Sequence, residues 1–415
     1  TADGVEDERR DVLMALPNMT IEIADAILDW IDEDEEPRQY GAENEHYGTL
    51  NPPYAAKNAP LESLDELLQV RGITPELLYG EDANRNGLLD PEENDGDLNL
   101  PLDNADGVLL RGWSAYFTVK SREANLRADG SPRINVNDSD LAALYDALLA
   151  EFDEDTARFV VACRMSPPSD EQEERLVLSF GEDGDESPGG GGGGGSGGNG
   201  GPSGGGGSPS GEASGGSENR GGLYLSDGAQ RDIASLFELI GTSVEVEVDN
   251  QEQELQSPWS DDPTDLGDAL PTLLDVLTTS DGEFIDGRIN VAEAPREVLL
   301  MIPEIDEQVV EAIVGGQLAG VGASDPARST AAWLLTEGIV TLDQMRAIDP
   351  YVTGRGDVYR TQIIGYFDAG GPMTRVEVIV DATQSPPRLT SIRDLTGLGW
   401  GFSTDQLLGN GSTGY

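Results

Sequence analysis

The chain has 415 residues and carries 79 Asp+Glu against 25 Lys+Arg, a formal net charge of −54. Lys57 and Lys120 are its only lysines and no basic cluster exists, so nothing can track a phosphate backbone and nucleic acid is not an expected ligand. One Cys (Cys163) and one His (His46) exclude an internal disulfide and most zinc or cysteine-nucleophile chemistry, and apolar runs of at most five residues leave no membrane span in this sequence.

In chain order, Leu16-Pro17-Asn18-Met19-Thr20 reads as a tight hairpin before a helix whose apolar residues are Ile21, Ala24, Ile27, Leu28 and Ile31. Asp29 to Glu36 then puts six carboxylates into eight residues before Pro37. Such a run repels itself, so it is expected to be a solvated helix end, with cation binding by some of Asp32, Asp34 and Glu43 as the alternative. Val70-Arg71-Gly72-Ile73-Thr74-Pro75 looks like a second hairpin, and Ile302-Pro303-Glu304-Ile305-Asp306 is another, before a helix carrying Val309, Val310, Ile313 and Val314. In the first and last of these, ten residues separate the apolar residue before Pro from an Ala (Ala26, Ala312). Helix, tight turn, helix is the helix-hairpin-helix arrangement. DNA-binding versions offer glycine amides to phosphates, whereas this chain has Asn18 and Glu304 there, so the units are expected to serve packing.

Asp82 to Glu93 satisfies D-x-[DN]-x-[DN]-G-x5-E at every defined position. Side-chain oxygens of Asp82, Asn84, Asn86, Asp90 and Glu93, with the Leu88 carbonyl and a turn at Gly87, suit the oxygen shell of Ca²⁺. Asp90-Pro91 would cap and open the following helix, aiming Glu93 at the ion. The alternative is a solvated Asn/Asp/Gly turn.

Asp129-Gly130 with Arg133-Ile134-Asn135-Val136, and Asp286-Gly287-Arg288-Ile289-Asn290-Val291, form an internal repeat of turn, short strand and helix start. Strand alternation is expected at Ala115–Val119, Leu176–Phe180, Val244–Val248, Val358–Phe367 and Arg375–Val380, the last two joined as a hairpin through Asp368 to Pro372. Between Gly189 and Gly222, 20 of 34 residues are glycine, which reads as a flexible tether reaching about 30 Å. The formal G-x-S-x-G match at Gly194–Gly198 lacks a flanking strand or helix and signifies nothing. No carboxylate pair is singled out for hydrolysis, His46 has no placed partner, and neither lysine follows a glycine as a Walker loop requires.

The expected class is α+β: a helical domain with helix-hairpin-helix modules plus an antiparallel β-sheet, interrupted by the Gly-rich linker. The boundaries fall at 1–111 (helical, with the calcium-type loop), 112–180 (strand plus helical module), 181–222 (linker), 223–350 (second helical module) and 351–415 (C-terminal β-hairpin and tail).

Ala26-Ile27-Leu28-Asp29-Trp30-Ile31-Asp32, then Asp34-Glu35-Glu36-Pro37-Arg38, Gly41-Ala42-Glu43 and Tyr47, resembles the signature of general secretion pathway protein K, as do Pro53-Tyr54, Lys57-Asn58-Ala59-Pro60, Glu66-Leu67 and Val70-Arg71-Gly72. Arg288-Ile289-Asn290-Val291 with Ala294-Pro295-Arg296-Glu297-Val298-Leu299 resembles the opening of that family's second helical module. The resemblance implies a non-enzymatic, calcium-binding minor pseudopilin of type II secretion, whose helix-hairpin-helix modules are SAM-like and whose antiparallel β-sheet is pilin-like. Such a protein caps the pseudopilus tip in complex with minor pseudopilins I and J, faces the periplasm, and meets the membrane only through an N-terminal inner-membrane helix that this chain does not include. The competing readings are a helix-hairpin-helix DNA-binding protein of the competence type and an extracellular calcium-binding adhesion module.

Overall fold

The computed structural model describes residues 9–96, 98, 103–167, 219–318, 328–367 and 371–402, which form a mixed α+β protein. They cluster into two compact units. One comprises residues 138–167, 219–232 and 243–256; the other holds 9–137, 233–242 and the remainder from 257 onward.

In the smaller unit, α5 (Leu141–Glu151) and α6 (Glu154–Met165) form a helical hairpin. Asp140 and Asp153 cap their N-termini, each side chain accepting backbone N–H groups that the first turn leaves unpaired. Leu144, Leu148, Phe159 and Val160 are buried in this unit, as is Leu223 of the antiparallel sheet β3-β4-β5-β6 (Asn219–Arg220, Leu223–Tyr224, Ser243–Val248, Gln251–Gln256). Asp249 and Asn250, both left-handed (φ 52° and 60°), make the two-residue turn that suits the twist of β5 and β6. Of the expected tether, only residues 219–222 are described: Asn219–Arg220 is strand β3, and Gly221-Gly222 turn it into β4.

The larger unit begins with helical residues 9–14 (α1) and α2 (Ile21–Ile31), continues through α3 (Asn44–Tyr47) and α4 (Pro75–Tyr79), and buries Ile23, Ala26, Ile27, Trp30, Tyr47, Leu67, Leu78 and Trp113 as one core. The three hairpins share one geometry. Asn18, Gly72 and Glu304 all take φ between 60° and 86°, and the residue two positions later (Thr20, Thr74, Asp306) accepts a backbone N–H three residues further on. Here the turn alone demands left-handed backbone, and only the second copy uses glycine.

Ala115–Val119 is not a strand. Gly112–Ala115 is a 3-10 turn that buries Trp113, whose Nε1 donates to Pro17 O (2.9 Å), and the consecutive Tyr116 and Phe117 both pack on the core, which a strand's alternation forbids. Leu176–Phe180 lies outside the described residues.

The repeat takes the same form twice. Ile134–Asn135 (β2) pairs in parallel with Leu277–Thr278 (β7), and Ile289–Asn290 (β9) with Val352–Thr353 (β10). Val136 N and Val291 N extend the ladders to Thr278 O and Thr353 O, and both valines are fully buried. Arg122–Ala124 (β1) pairs with Phe284–Asp286 (β8), joining stretches far apart in the chain.

Near the C-terminus, Val358–Gly365 (β11), Thr374–Asp381 (β12) and Arg388–Asp394 (β13) form an antiparallel sheet. The pairing of β11 with β12 is the expected one; residues 368–370 of the connecting turn lie outside the described residues. One face presents Tyr359, Ile363, Leu389 and Ile392, each at least half exposed, flanking buried Val378. The other carries polar groups inward: fully buried Arg375 donates to Gln362 Oε1 (2.7 Å), whose amide donates to Arg85 O (2.7 Å), and Arg393 pairs with Asp65.

Gly72→Ala is expected to destabilise the fold by about 1–2 kcal/mol, because a side chain there pays the left-handed penalty and its Cβ would stand 3.0 Å from Ile23 Cγ1. Glu304→Gly should be neutral or stabilising by under about 1 kcal/mol. Urea denaturation midpoints for the two variants should therefore move in opposite senses, or only the first should move.

Candidate metal centre

Asp25 and Asp29 lie one helical turn apart on the buried side of α2, and both are fully enclosed. A buried carboxylate persists only when paired and hydrogen-bonded. Arg10 Nε lies 2.6 Å from Asp25 Oδ1, which leaves Asp25 Oδ2 to accept from Tyr40 N at 3.2 Å. Arg38 Nη1 stands 2.8 Å from Asp29 Oδ1, and Arg38 N donates to the same carboxylate at 3.3 Å. Gly41 makes that approach possible, since a Cβ there would lie 1.8 Å from Asp29 Oδ2.

Arg38 Nη1 also donates to Asp32 Oδ2, at the C-cap of α2. Beyond this clasp, Asp32, Asp34 and Glu43 each bring a carboxylate oxygen within 4.8 Å of the other two. Glu43 is 3% exposed, yet neither of its oxygens has a hydrogen-bond partner, and neither does Asp32 Oδ1. Burial, reinforced by the charges of Asp29 and Asp32, pushes the Glu43 carboxyl up to about 7, and burial raises Asp32 as well although Arg38 opposes it. Next to Asp34, Asn58 Nδ2 donates to the Asp34 carbonyl while its buried Oδ1 is unpartnered. Converging anionic oxygens with unfilled lone pairs suit a hard divalent cation such as Ca²⁺ or Mg²⁺.

The Asp82–Glu93 loop curls on itself. Asp82, 5% exposed, accepts Asn86 N and Gly87 N (3.0 Å each), with Arg85 and Gly87 left-handed. Asn84 Nδ2 and Asn86 Nδ2 both donate to Asp90 Oδ2, at 2.7 and 2.8 Å. Two amide donors therefore converge on a point where positive charge is favoured, and turning the amides over would offer oxygens instead. Asp90 and Glu93 form a reciprocal cap at Pro91–Glu93, and Glu93 is buried with Oε1 unpartnered. Burial raises both Asp82 and Glu93. The Leu88 side chain is exposed, and its N–H donates to Asn86 Oδ1 (2.6 Å). Asn86 Nδ2 also reaches Gly401 O, so the loop touches the chain just beyond the C-terminal sheet. His46 sits on α3 against Tyr47, in neither cluster.

A carboxyl raised to about 7 is protonated in the folded chain under conditions where the unfolded chain has released its proton, so this group's contribution to stability falls as pH rises from 4.5 to 7. A cation held by the triad would replace the proton. Glu43→Gln should therefore raise the melting temperature above pH 7 in chelator, by about 2–4 °C per kcal/mol relieved, and lower it relative to the parent in millimolar Ca²⁺. Gly41→Ala should lose both the cation response and stability, because it displaces Asp29.

Residues 11–79, which build the clasp and the triad, match the sequence model of the family described as Type II secretion system (T2SS), protein K. The type II secretion system protein K of Aeromonas hydrophila is 43% identical over 58 residues, 14% of this chain and 18% of that protein. A candidate type II secretion system protein K of Escherichia coli (strain K12) is 44% identical over 55 residues, 13% and 17% of the two chains. The chain thus spans less than a fifth of the length of these relatives. No solved structure matches. Over residues 11–79, with their buried Asp25 and Asp29, half-buried Arg38 and the acidic triad they position, the chain is similar to the type II secretion system protein K family.

Proposed function

We propose that this protein is a non-enzymatic minor pseudopilin that caps a secretion pseudopilus on its periplasmic side, in complex with minor pseudopilins I and J. The observation that carries the reading is the family match over residues 11–79, the segment in which the acidic triad is assembled. Among the described residues no helix is long and apolar enough to cross a membrane. On this reading the three turns at Asn18, Gly72 and Glu304 are helix-hairpin-helix packing modules, and β11-β12-β13 belongs to a pilin-like domain. Its exposed row of Tyr359, Ile363, Leu389 and Ile392 is of the kind that marks a protein contact.

Ca²⁺ serves the fold. The Asp32–Asp34–Glu43 cluster takes one ion. The Asp82–Glu93 loop takes another through Asp82, Asn84, Asn86, the Leu88 carbonyl, Asp90 and Glu93. Because that loop is tied to Gly401 through Asn86 and to Gln362 through the Arg85 carbonyl, an ion there would stiffen the joint between helical region and sheet.

Calorimetric Ca²⁺ titration should show two sites, one lost in Asp82→Ala and the other in Glu43→Gln; unchanged binding in either variant would discard that site. Copurification with pseudopilin I and J homologues should be retained in both variants at saturating Ca²⁺ and abolished by Ile363→Asp with Ile392→Asp. No association of the parent at micromolar concentration, together with a salt-sensitive gel shift of DNA, would instead favour the competence-type reading.

A further inference from the structure

The two copies of the Arg-Ile-Asn-Val repeat place their arginines at the same cavity. Arg133 from the first copy and Arg288 from the second line a space of about 70 Å³ together with Arg355, Glu123, Asp349 and Thr279. The carboxylates are already engaged. Glu123 takes Arg288 Nη2 on Oε1, and on Oε2 it accepts from Thr353 Oγ1 at 3.1 Å with Arg355 Nε at 3.8 Å. Asp349 Oδ2 accepts from Ser235 Oγ at 2.7 Å. Asp275 is the other acid that acts on Arg133, and it accepts from Ala128 N.

Arg133 is left over. Its guanidinium donates no hydrogen bond to any described residue, its Nε is buried and unpartnered, and Arg288 Nε is likewise orphaned. Burial and the neighbouring charges of Arg355 and Arg288 lower its pKa, as expected of a cation held among like charges. Three guanidiniums face two carboxylates here, in a chain with 25 cations against 79 acids. Arginine is costly to bury without a counter-charge, and its planar fork matches an oxyanion.

We infer that this cavity is a binding site for a small tetrahedral oxyanion of the phosphate or sulfate class, held by Arg133 with Arg288 and Arg355, which links the two repeats. The space is of the size of a single ion or a few waters. Thr279 and Thr330, also in its wall, bring hydroxyls that can donate to such an ion.

The test is thermal unfolding of the full chain in inorganic phosphate or sulfate, against chloride at matched ionic strength because a charge of −54 responds to screening alone. Phosphate should give a saturable rise over chloride, about 3–6 °C at ten times its dissociation constant, that is absent in Arg133→Gln. In chloride alone, Arg133→Gln should be at least as stable as the parent, since it removes an uncompensated cation; a purely packing role predicts the reverse. A chloride response equal to that of phosphate, an equal phosphate response in Arg133→Gln, or failure of that variant to fold would each overturn the assignment. A rise with inorganic phosphate alone supports a free ion as ligand, and an equal rise with glycerol phosphate supports a phosphate ester.

Discussion

The structure of the N-terminal region turns on the buried Asp29–Arg38 contact. Asp29 sits fully enclosed on α2, and a carboxylate in that position is stable only while the guanidinium and amide of Arg38 satisfy it. Removing one partner of such a pair typically costs about 3–5 kcal/mol, because the other is left buried and charged. The contact also fixes the path of the chain: Arg38 pulls the segment after Pro37 against the end of α2, Gly41 allows the close approach, and Glu43 is brought beside Asp32 and Asp34. The acidic cluster follows from the clasp, since a free loop would let the three carboxylates separate.

The same economy governs the rest of the larger unit. Several of its few cations serve buried or half-buried partners: Arg10 on Asp25, Arg38 on Asp29, Arg288 on Glu123, Arg393 on Asp65, and Arg375 on Gln362 beneath the sheet. Acidic excess therefore collects at the surface and in the two oxygen-rich clusters. Other arginines pair at the surface, as Arg122 does with Asp286 and Arg296 with Glu311, so cations fasten both interior and surface while the acidic excess faces solvent.

Much of this was legible in the residues. The three turns could be read from apolar periodicity and N-cap residues, and the structure gives Asn18, Gly72 and Glu304 one left-handed geometry, showing that the chain tolerates two non-glycine residues where the turn's shape is set by packing. The repeat was visible as Arg-Ile-Asn-Val, but its partners were not, because Leu277–Thr278 and Val352–Thr353 are two-residue strands with no periodicity to detect. Strand β13 was missed for a related reason: Arg388 to Asp394 alternates weakly, and only pairing with β12 identifies it. At the site, Asp32, Asp34 and Glu43 could be proposed from composition, whereas burial of Asp25 and Asp29 could not. The signal available was an aspartate pair at i, i+4 within an apolar stripe, which only makes sense if arginines elsewhere meet it. Ala115–Val119 misled because two successive aromatics face one core, a geometry of turns that mimics strand composition.

The ladder between β1 and β8 carries a consequence for how the chain reaches this state. Arg122 meets Asp286 across 164 residues, and the smaller unit is inserted between them. At synthesis rates of about 5–20 residues per second, the first strand would wait roughly 8–30 s for its partner to be made. During that interval Arg122–Ala124 is an unpaired edge, and the cavity shared by Arg133 and Arg288 has only one of its walls. The N-terminal helical core, whose buried residues all lie between Leu16 and Trp113, can form earlier, while closure of the middle of the molecule is obliged to wait for its distant pairings.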